Sequence, residues 1–241
     1  MQDWQERTGM LLGEEGLDRL AAAHVIVVGA GGVGGFAAEM LARAGVGRLT
    51  VIDDDEVGRS NINRQLLALH STVGKPKVEV LRDRLLDINP ELDIRPVRTY
   101  VTEDLLLSEE AGALIPADAD FVIDAIDTLS PKIALIQYCL RHSLPLVSCM
   151  GSGAKTDATA VRIADISKTY QCPLAHMLRK RLHKLGIHSG FLAVFSSELP
   201  RKDSLTLEES RNKKSQVGTI SYMPAVFGCV CAQAAIDGII K

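Results

Sequence analysis

The chain has 241 residues, 46% of them hydrophobic and 24% charged, with a net charge of −3. Those proportions exclude disorder, collagen and coiled coil as the dominant class, and they exclude a polycation built to coat nucleic acid. A chain of this length buries roughly 70–75% of its unfolded surface on folding and needs neither metal nor disulfide for stability. The five cysteines, at 139, 149, 172, 229 and 231, are an odd count with no C-x-x-C pair. That pattern argues against a paired zinc knuckle and for reduced thiols in the cytoplasm. Met1 to Gly9 carries Asp3 and Glu6 and lacks the apolar stretch of a signal peptide.

His24–Val28 is a continuous apolar run, as in a parallel strand buried on both faces. Gly29-Ala-Gly-Gly-Val-Gly34 follows, and Phe36–Ala44 reads as a helix. Arg48–Ile52 reads as the second strand and ends at Asp53. Lys75–Ile88 has helical periodicity and stops before Asn89-Pro90. Ile94–Val97, Phe121–Ala125 and Leu146–Cys149 read as further strands, with a helix opened by Ser130-Pro131 between the last two. This alternation predicts an α/β fold with a Rossmann-like, doubly wound, largely parallel sheet.

After about residue 155 the rhythm changes. Ala160–Ile163 and Phe191–Phe195 read as short strands, Pro173–Lys184 as a basic helix and Ser196–Gln216 as a polar loop. The C-terminal part of the sheet is therefore expected to be mixed or antiparallel. Ala225–Ile240 falls short of the ~20 residues of a membrane span and holds Gln233 and Asp237, so it reads as a buried helix, with a membrane-surface helix as the alternative. The expected division of the single domain, 1–241, is a nucleotide-binding part (1–155), a basic substrate or crossover segment (156–220) and a closing helix (221–241).

Gly29, Gly31 and Gly34 match G-x-G-x-x-G between a strand and a helix, with Gly32 inside the loop. Such a loop lets the backbone approach a phosphate at the helix N-terminus. Asp53, ending the next strand, stands where an acid commonly bonds ribose hydroxyls. NAD would be the default ligand of these features alone. Three further residues argue instead for cleavage of ATP. Arg64 offers a guanidinium fork that matches phosphate geometry. Lys77 opens a helix, and Asp127 follows a strand that ends at the same sheet edge and could hold Mg²⁺. No G-x-x-x-x-G-K-[ST] is present, which argues against an ordinary P-loop ATPase.

Other chemistry-bearing residues have plainer readings. Cys172 reads as a buried thiol, and Asp124 as a packing or capping residue near the site. Cys229 and Cys231, two apart on a helix, point about 200° from each other and suit no shared metal. His176, His183 and His188 read as surface residues, with RNA contacts as the alternative. Ten Lys/Arg stand against four acids between Ser167 and Lys214, which fits either a solvated face or a phosphate-binding one.

Together, Gly29-Ala-Gly-Gly-Val-Gly34, Asp53-x-Asp55-x-Val57, Asn61-x-Asn-Arg-Gln65, Lys77 and Asp124-Ala-Ile-Asp127 resemble the E1-like adenylating enzymes. Within that family the chain is most similar to the tRNA threonylcarbamoyladenosine dehydratases. Its Asn-x-Asn-Arg-Gln form, Asp165-Ile-Ser-Lys-Thr169 followed by Cys172-Pro-Leu174, and the missing zinc and thioester-cysteine features point there. The resemblance implies that ATP adenylylates the carboxylate of the modified base in tRNA, which then cyclises with loss of AMP and, overall, of water. It implies that Gly29, Gly31, Gly32 and Gly34 line the nucleotide loop, that Asp53 and Asp55 serve the nucleotide, and that Asn61, Arg64 and Lys77 contact phosphates. It also implies a homodimer, with Arg7 of Arg7-Thr-Gly-Met-Leu-Leu-Gly13 reaching into the neighbouring subunit's site, and it allows a sulfur-transfer partner protein. Lys168, Arg179, Lys180, Arg181 and Lys184 are the candidates for holding the tRNA backbone. The alternatives are an adenylyltransferase for the Gly-Gly end of a small sulfur-carrier protein and an NAD-binding oxidoreductase or silent nucleotide sensor.

Overall fold

The protein is described by a computed structural model covering residues 3–108, 110–206 and 216–241. In chain order the first elements are α1 (Glu6–Ala22), β1 (His24–Val28), α2 (Gly34–Ala44), β2 (Arg48–Ile52), α3 (Lys77–Ile88) and β3 (Asp93–Val97). Then follow α4 (Glu103–Leu107), α5 (Ala111–Leu114), β4 (Phe121–Asp124), α6 (Leu129–Arg141) and β5 (Leu146–Cys149). The C-terminal third holds β6 (Val161–Asp165), α7 (Pro173–Lys184), β7 (Leu192–Ser196), β8 (Leu205–Thr206), β9 (Gln216–Val217) and α8 (Tyr222–Ile240).

Seven strands form one sheet in the order β3-β2-β1-β4-β5-β7-β6. All pairs are parallel except β6 with β7, which is antiparallel, as the change of rhythm after residue 155 suggests. Alternate residues of each central strand feed two separate cores, as the pleat requires. Val25 and Val27 of β1 face one core with Leu41 of α2, Leu81 and Leu85 of α3 and Phe227 of α8. Ile26 and Val28 face the other with Leu106 of α4, Ile133 and Ile136 of α6 and Leu178 of α7. This two-sided burial explains why β1 has no polar alternation.

Helix α8 is long and apolar enough to cross a membrane by length and composition. In the fold it lies against α2, β4 and β5, with Met223, Phe227 and Cys231 fully buried, so the sequence reading of a core helix holds. Three helices have no counterpart in the sequence reading: α1, α4 and α5. The segment 196–216 holds β8, which pairs antiparallel with β9 at its end, and its residues 207–215 lie outside the described chain.

Candidate functional site

The parallel strands place β1, β2, β4 and β5 with their carboxyl ends at one edge of the sheet. In open α/β sheets ligands bind at that edge. At Gly29 the backbone has φ +99°, and a Cβ there would come 2.8 Å from the Ala125 carbonyl oxygen just past β4. A Cβ on Gly34 would lie 1.7 Å from the Gly29 carbonyl oxygen. These two glycines are demanded by packing. Gly31 is different, because the nearest atom to its Cβ would be Gln65 Nε2 at 3.7 Å. Gly32 faces Pro224 at 3.0 Å and the Arg64 carbonyl at 3.4 Å. The loop therefore has one packed side and one side open to a ligand, at the N-terminus of α2.

Asp53 fixes this loop. Its Oδ2 accepts a hydrogen bond from the Ala30 amide at 2.6 Å, and its Oδ1 accepts one from the Asp55 amide at 2.8 Å. Burial pushes the Asp53 carboxyl above its ordinary pKa, opposed by the charge of Lys77 and by these two amides. The loop after β2 is also tied to the start of α3. The Lys77 amide donates to the Asp55 carbonyl at 3.0 Å, and Val57 N–H donates to the Lys75 carbonyl at 2.9 Å. Lys77, with a side chain only 5% exposed, reaches Asp55 Oδ2 at 2.6 Å. The carboxylates of Asp53, Asp54 and Asp55 lie within 4.8 Å of one another, and two of the three are held by the bonds just given.

Asn61 closes a tight turn by accepting from the Gly58 amide at 2.9 Å. The half-buried Arg64 donates from Nη1 to the Ser60 carbonyl at 2.9 Å and to Asn63 Oδ1 at 2.8 Å. Its guanidinium is thus steered by neutral acceptors and pairs with no carboxylate among the described residues. In the sequence Gln65 stands out only as part of a motif. Its side-chain Oε1 is buried and has no hydrogen-bond partner among the described residues, right beside Gly31. An orphaned buried acceptor is costly, and a donor from a nucleotide in the cradle would satisfy it.

Asp127 is exposed, on the turn that leaves β4. The turn is pinned by Asp124, whose Oδ1 accepts from the Ile126 amide at 3.0 Å. Asp124 Oδ2 accepts from Lys132 Nζ at 2.7 Å and from Ser148 Oγ at 2.6 Å, and Asp124, Lys132 and Ser148 are all fully buried. Asp124 is thus a packing residue, as the sequence suggests.

The structure brings the glycine loop, Asp53, Asp55, Lys77 and Arg64 together. It does not bring Arg7 to them within the chain: Arg7 is exposed on the first turn of α1, without a hydrogen bond or ion pair among the described residues. On α7, Ala175, Leu178 and Leu182 are buried, while Lys180, Arg181 and Lys184 are exposed, as is Lys168 before the helix. Arg179 departs from that set, being half-buried and donating to the Thr169 hydroxyl. Arg211, Lys213 and Lys214 of the basic segment lie outside the described residues. Cys172 is buried, Cys229 and Cys231 face opposite ways, and His176, His183 and His188 are exposed.

The glycine loop, the buried Lys77, the steered Arg64 and the paired Asp53 and Asp55 thus meet at one edge of the sheet. The chain belongs to the ThiF family, which matches residues 6–241. It is 41% identical to the tRNA threonylcarbamoyladenosine dehydratase of Bacillus subtilis, over 98% of this chain and 94% of that one. It is 39% identical to the enzyme of the same name from Escherichia coli, over 97% and 93% of the two chains. The crystal structure of the E. coli enzyme in complex with ATP superposes with a TM-score of 0.88 at 38% identity, covering 99% of this chain and 96% of that one.

Proposed function

We propose that this chain is an ATP-dependent tRNA threonylcarbamoyladenosine dehydratase. The observation that carries the reading is likeness over nearly the full length of both chains to dehydratases, one of them solved with ATP. A carboxylate is a poor electrophile. One of its oxygens attacks the α-phosphorus of ATP, the bond to the β-phosphate breaks and pyrophosphate leaves. An internal nucleophile of the threonylcarbamoyl group then attacks the activated carbonyl and expels AMP, closing a ring. Ring closure is intramolecular, so orientation supplies much of the rate.

In this reading Gly29, Gly31, Gly32 and Gly34 present backbone to the nucleotide, and Asp53 meets the ribose while bracing the loop. Asn61, Arg64 and Lys77 address the phosphates. Lys77 exchanges its hold on Asp55 for phosphate oxygens, as a buried cation at a site of growing negative charge can. Asp127, an exposed carboxylate beside the glycine loop, is suited to a hard cation, and it would hold Mg²⁺, which neutralises phosphate charge when bound. Residues 1–155 would serve the nucleotide, 156–220 the RNA and 221–241 would close the core.

Arg7 would act in the partner subunit of a homodimer. Its lack of an in-chain partner among the described residues supports this, as do Met10 and Leu11 on the same helix, 81% and 83% exposed. All five cysteines are free thiols, which supports a cytoplasmic protein. A sulfur-transfer partner protein belongs to the same proposal.

The test is nucleoside mass spectrometry on tRNA carrying threonylcarbamoyladenosine after incubation with the protein, ATP and Mg²⁺. The expected product nucleoside is lighter by one water, with one AMP released per ring closed. An unchanged nucleoside, with AMP formed only when a Gly-Gly-ended carrier protein is added, would replace this reading with carrier-protein adenylylation.

A further inference from the structure

The glycine loop accounts for the nucleotide, and the basic helix for an RNA backbone, but neither supplies a place for the small acidic group that must meet the α-phosphorus. A second concavity lies farther along the same sheet edge. It has a volume of about 210 Å³ and is lined by Lys155, Thr156, Arg201, Ser204 and Thr219, among others. Its wall comes from three chain segments: the loop after β5, the segment after β7 and the stretch before α8.

The backbone of the loop after β5 is held in a constrained conformation. Ala154 sits at φ +58°, a conformation that costs a non-glycine residue energy and persists only when its surroundings enforce it. Two backbone hydrogen bonds do so: the Ala154 amide donates to the Gly218 carbonyl at 2.8 Å, and the Arg201 amide donates to the Ala154 carbonyl at 2.9 Å. Lys155 is only 3% exposed. Among the described residues its Nζ makes one hydrogen bond, to the Gly151 carbonyl at 3.1 Å, and no ion pair. The nearby carboxylate, Glu198, is spent on the amides of Thr156 and Asp157, at 2.9 and 2.8 Å. Arg201 likewise has no carboxylate partner among the described residues and reaches only the Thr156 hydroxyl, at 3.3 Å.

A buried ammonium with no counter-ion is expensive. Burial depresses the pKa of Lys155, so a bound anion would offset a cost that the protein otherwise carries. The pocket adjoins the nucleotide loop through direct contacts. Asn63, the residue before Arg64, donates to the Thr219 carbonyl at 3.0 Å. Tyr222 donates to the Thr156 carbonyl at 2.8 Å, two residues from the Pro224 that packs on Gly32.

We infer that Lys155 and Arg201 form the acceptor subsite, which takes the free carboxylate of a small amino-acid substituent and holds it for attack on the α-phosphorus. Two cations flanked by hydroxyls recognise an oxyanion. The volume of about 210 Å³ suits the amino-acid end of a modified base. In the step itself a carboxylate oxygen bonds to phosphorus, the bond to the β-phosphate breaks with its electron pair, and no proton moves. The inference rests on the reading above that the chain activates a carboxylate.

The experiment compares an anticodon stem-loop carrying threonylcarbamoyladenosine with the same RNA whose threonyl carboxylate is converted to the neutral carboxamide. Both compete for the wild type, Lys155→Met and Arg201→Gln. The wild type should prefer the carboxylate RNA by about tenfold or more, the scale of a lost charged hydrogen bond. Both variants should lose that preference and show a raised KM for the RNA, while the KM for ATP and the affinity for unmodified RNA stay put. If Lys155→Met does not fold, Arg201→Gln, altered at an exposed side chain, carries the test. Preference retained in the folded variants, with wild-type KM, overturns the subsite and leaves the dehydratase reading standing. A wild type that dehydrates neither RNA in the presence of ATP overturns both.

Discussion

The two ends of the sheet's carboxyl edge are built from different materials. Around β1 and β2 the site is made mostly of backbone, with Gly29 and Gly34 pressed against their neighbours and Asp53 pinning Ala30 from a strand away. Around β5 and β7 it is made of side chains, with Lys155, Arg201 and Thr219 converging from segments tens of residues apart. A ligand shared by many enzymes can be met with peptide groups. A substituent peculiar to one substrate needs specific charges, and these can come from wherever the fold delivers them.

The largest effect expected on the nucleotide side is catalytic. Arg64→Ala and Lys77→Ala should each lower AMP formation by roughly 10²–10³-fold, the scale of removing one preorganised charge-stabilising group. Circular dichroism and melting should show a folded protein for Arg64→Ala, whose guanidinium bonds only neutral groups of its own turn. Near-normal turnover in both variants would break the assignment of this end to phosphate chemistry.

The support under the site predicts a loss of stability instead. Lys132→Met leaves the Asp124 carboxylate buried without its cation, and breaking a buried pair in this way costs about 3–5 kcal/mol. The turn to Asp127 hangs from the same carboxylate. Urea denaturation should therefore show a midpoint shift of that size, together with weaker ATP binding in the fraction still folded. A variant as stable as the wild type would mean that the network is dispensable.

Next in size is a contrast within one loop. Gly34→Ala drives a Cβ into the Gly29 carbonyl and should cost about 3 kcal/mol or more, whether or not nucleotide is present. Gly31→Ala meets nothing closer than 3.7 Å, so the apoprotein should melt near the wild-type temperature. What it should lose is the rise in melting temperature on adding ATP. If both variants unfold alike, the distinction between the packed and open sides of the loop is wrong.

That contrast bears on what was legible in the sequence. The strand runs, the glycine loop and the acid after β2 are local constraints, so a continuous apolar stretch or a forced turn shows them directly. The motif residues Arg64 and Lys77 were legible as a set. The partners that organise them, Asn63 and Asp55, become specific only once the loop after β2 closes onto α3. Gln65 was visible as part of the motif, but its buried unpaired oxygen was not. Lys155 gave no signal and Arg201 showed only as one of ten basic residues between Ser167 and Lys214, because a lysine in a Gly-rich loop and an arginine in a polar segment are ordinary until the chain brings them together. Helix α1 escaped because of the non-helical break at Gly13, φ +73°; α4 and α5 span only five and four residues.

The basic helix sharpens the comparison on the RNA side. Replacing Lys180, Arg181 and Lys184 by Gln should weaken tRNA binding and flatten its dependence on salt by about one unit of log–log slope for each phosphate no longer neutralised. Arg179→Gln should leave the slope almost unchanged, because that guanidinium is turned towards Thr169. An unaltered slope in the triple variant would reassign these charges to a solvated face.

The smallest effect separates the sheet's floor from its functional edge by pH. His24, at the start of β1, bonds Thr50 Oγ1 at 2.9 Å, and burial, aided by the charge of Arg48, lowers its pKa. The unfolded chain therefore takes up this proton first as pH falls below about 6.5. Stability should decline from there down to the folded-state pKa and then level off, because the unfolded state binds more protons across that window. Glu39 titrates lower: burial raises its pKa, but hydrogen bonds from Arg84 and Arg43 outweigh that and hold it below the ordinary value. Its contribution is fully present above the unfolded glutamate value of about 4.3 and is lost as pH falls through the folded one. Melting temperature against pH should thus show an upper step that His24→Gln removes and a lower one that it leaves. The upper step should stay under about 1 kcal/mol for so partly buried a ring, or roughly 2–4 °C at this chain length. Neither residue touches the proposed site, so a His24→Gln protein that kept its ATP affinity while losing the upper step would show the floor and the edge titrating independently. Persistence of that step in the variant would move its origin to another group.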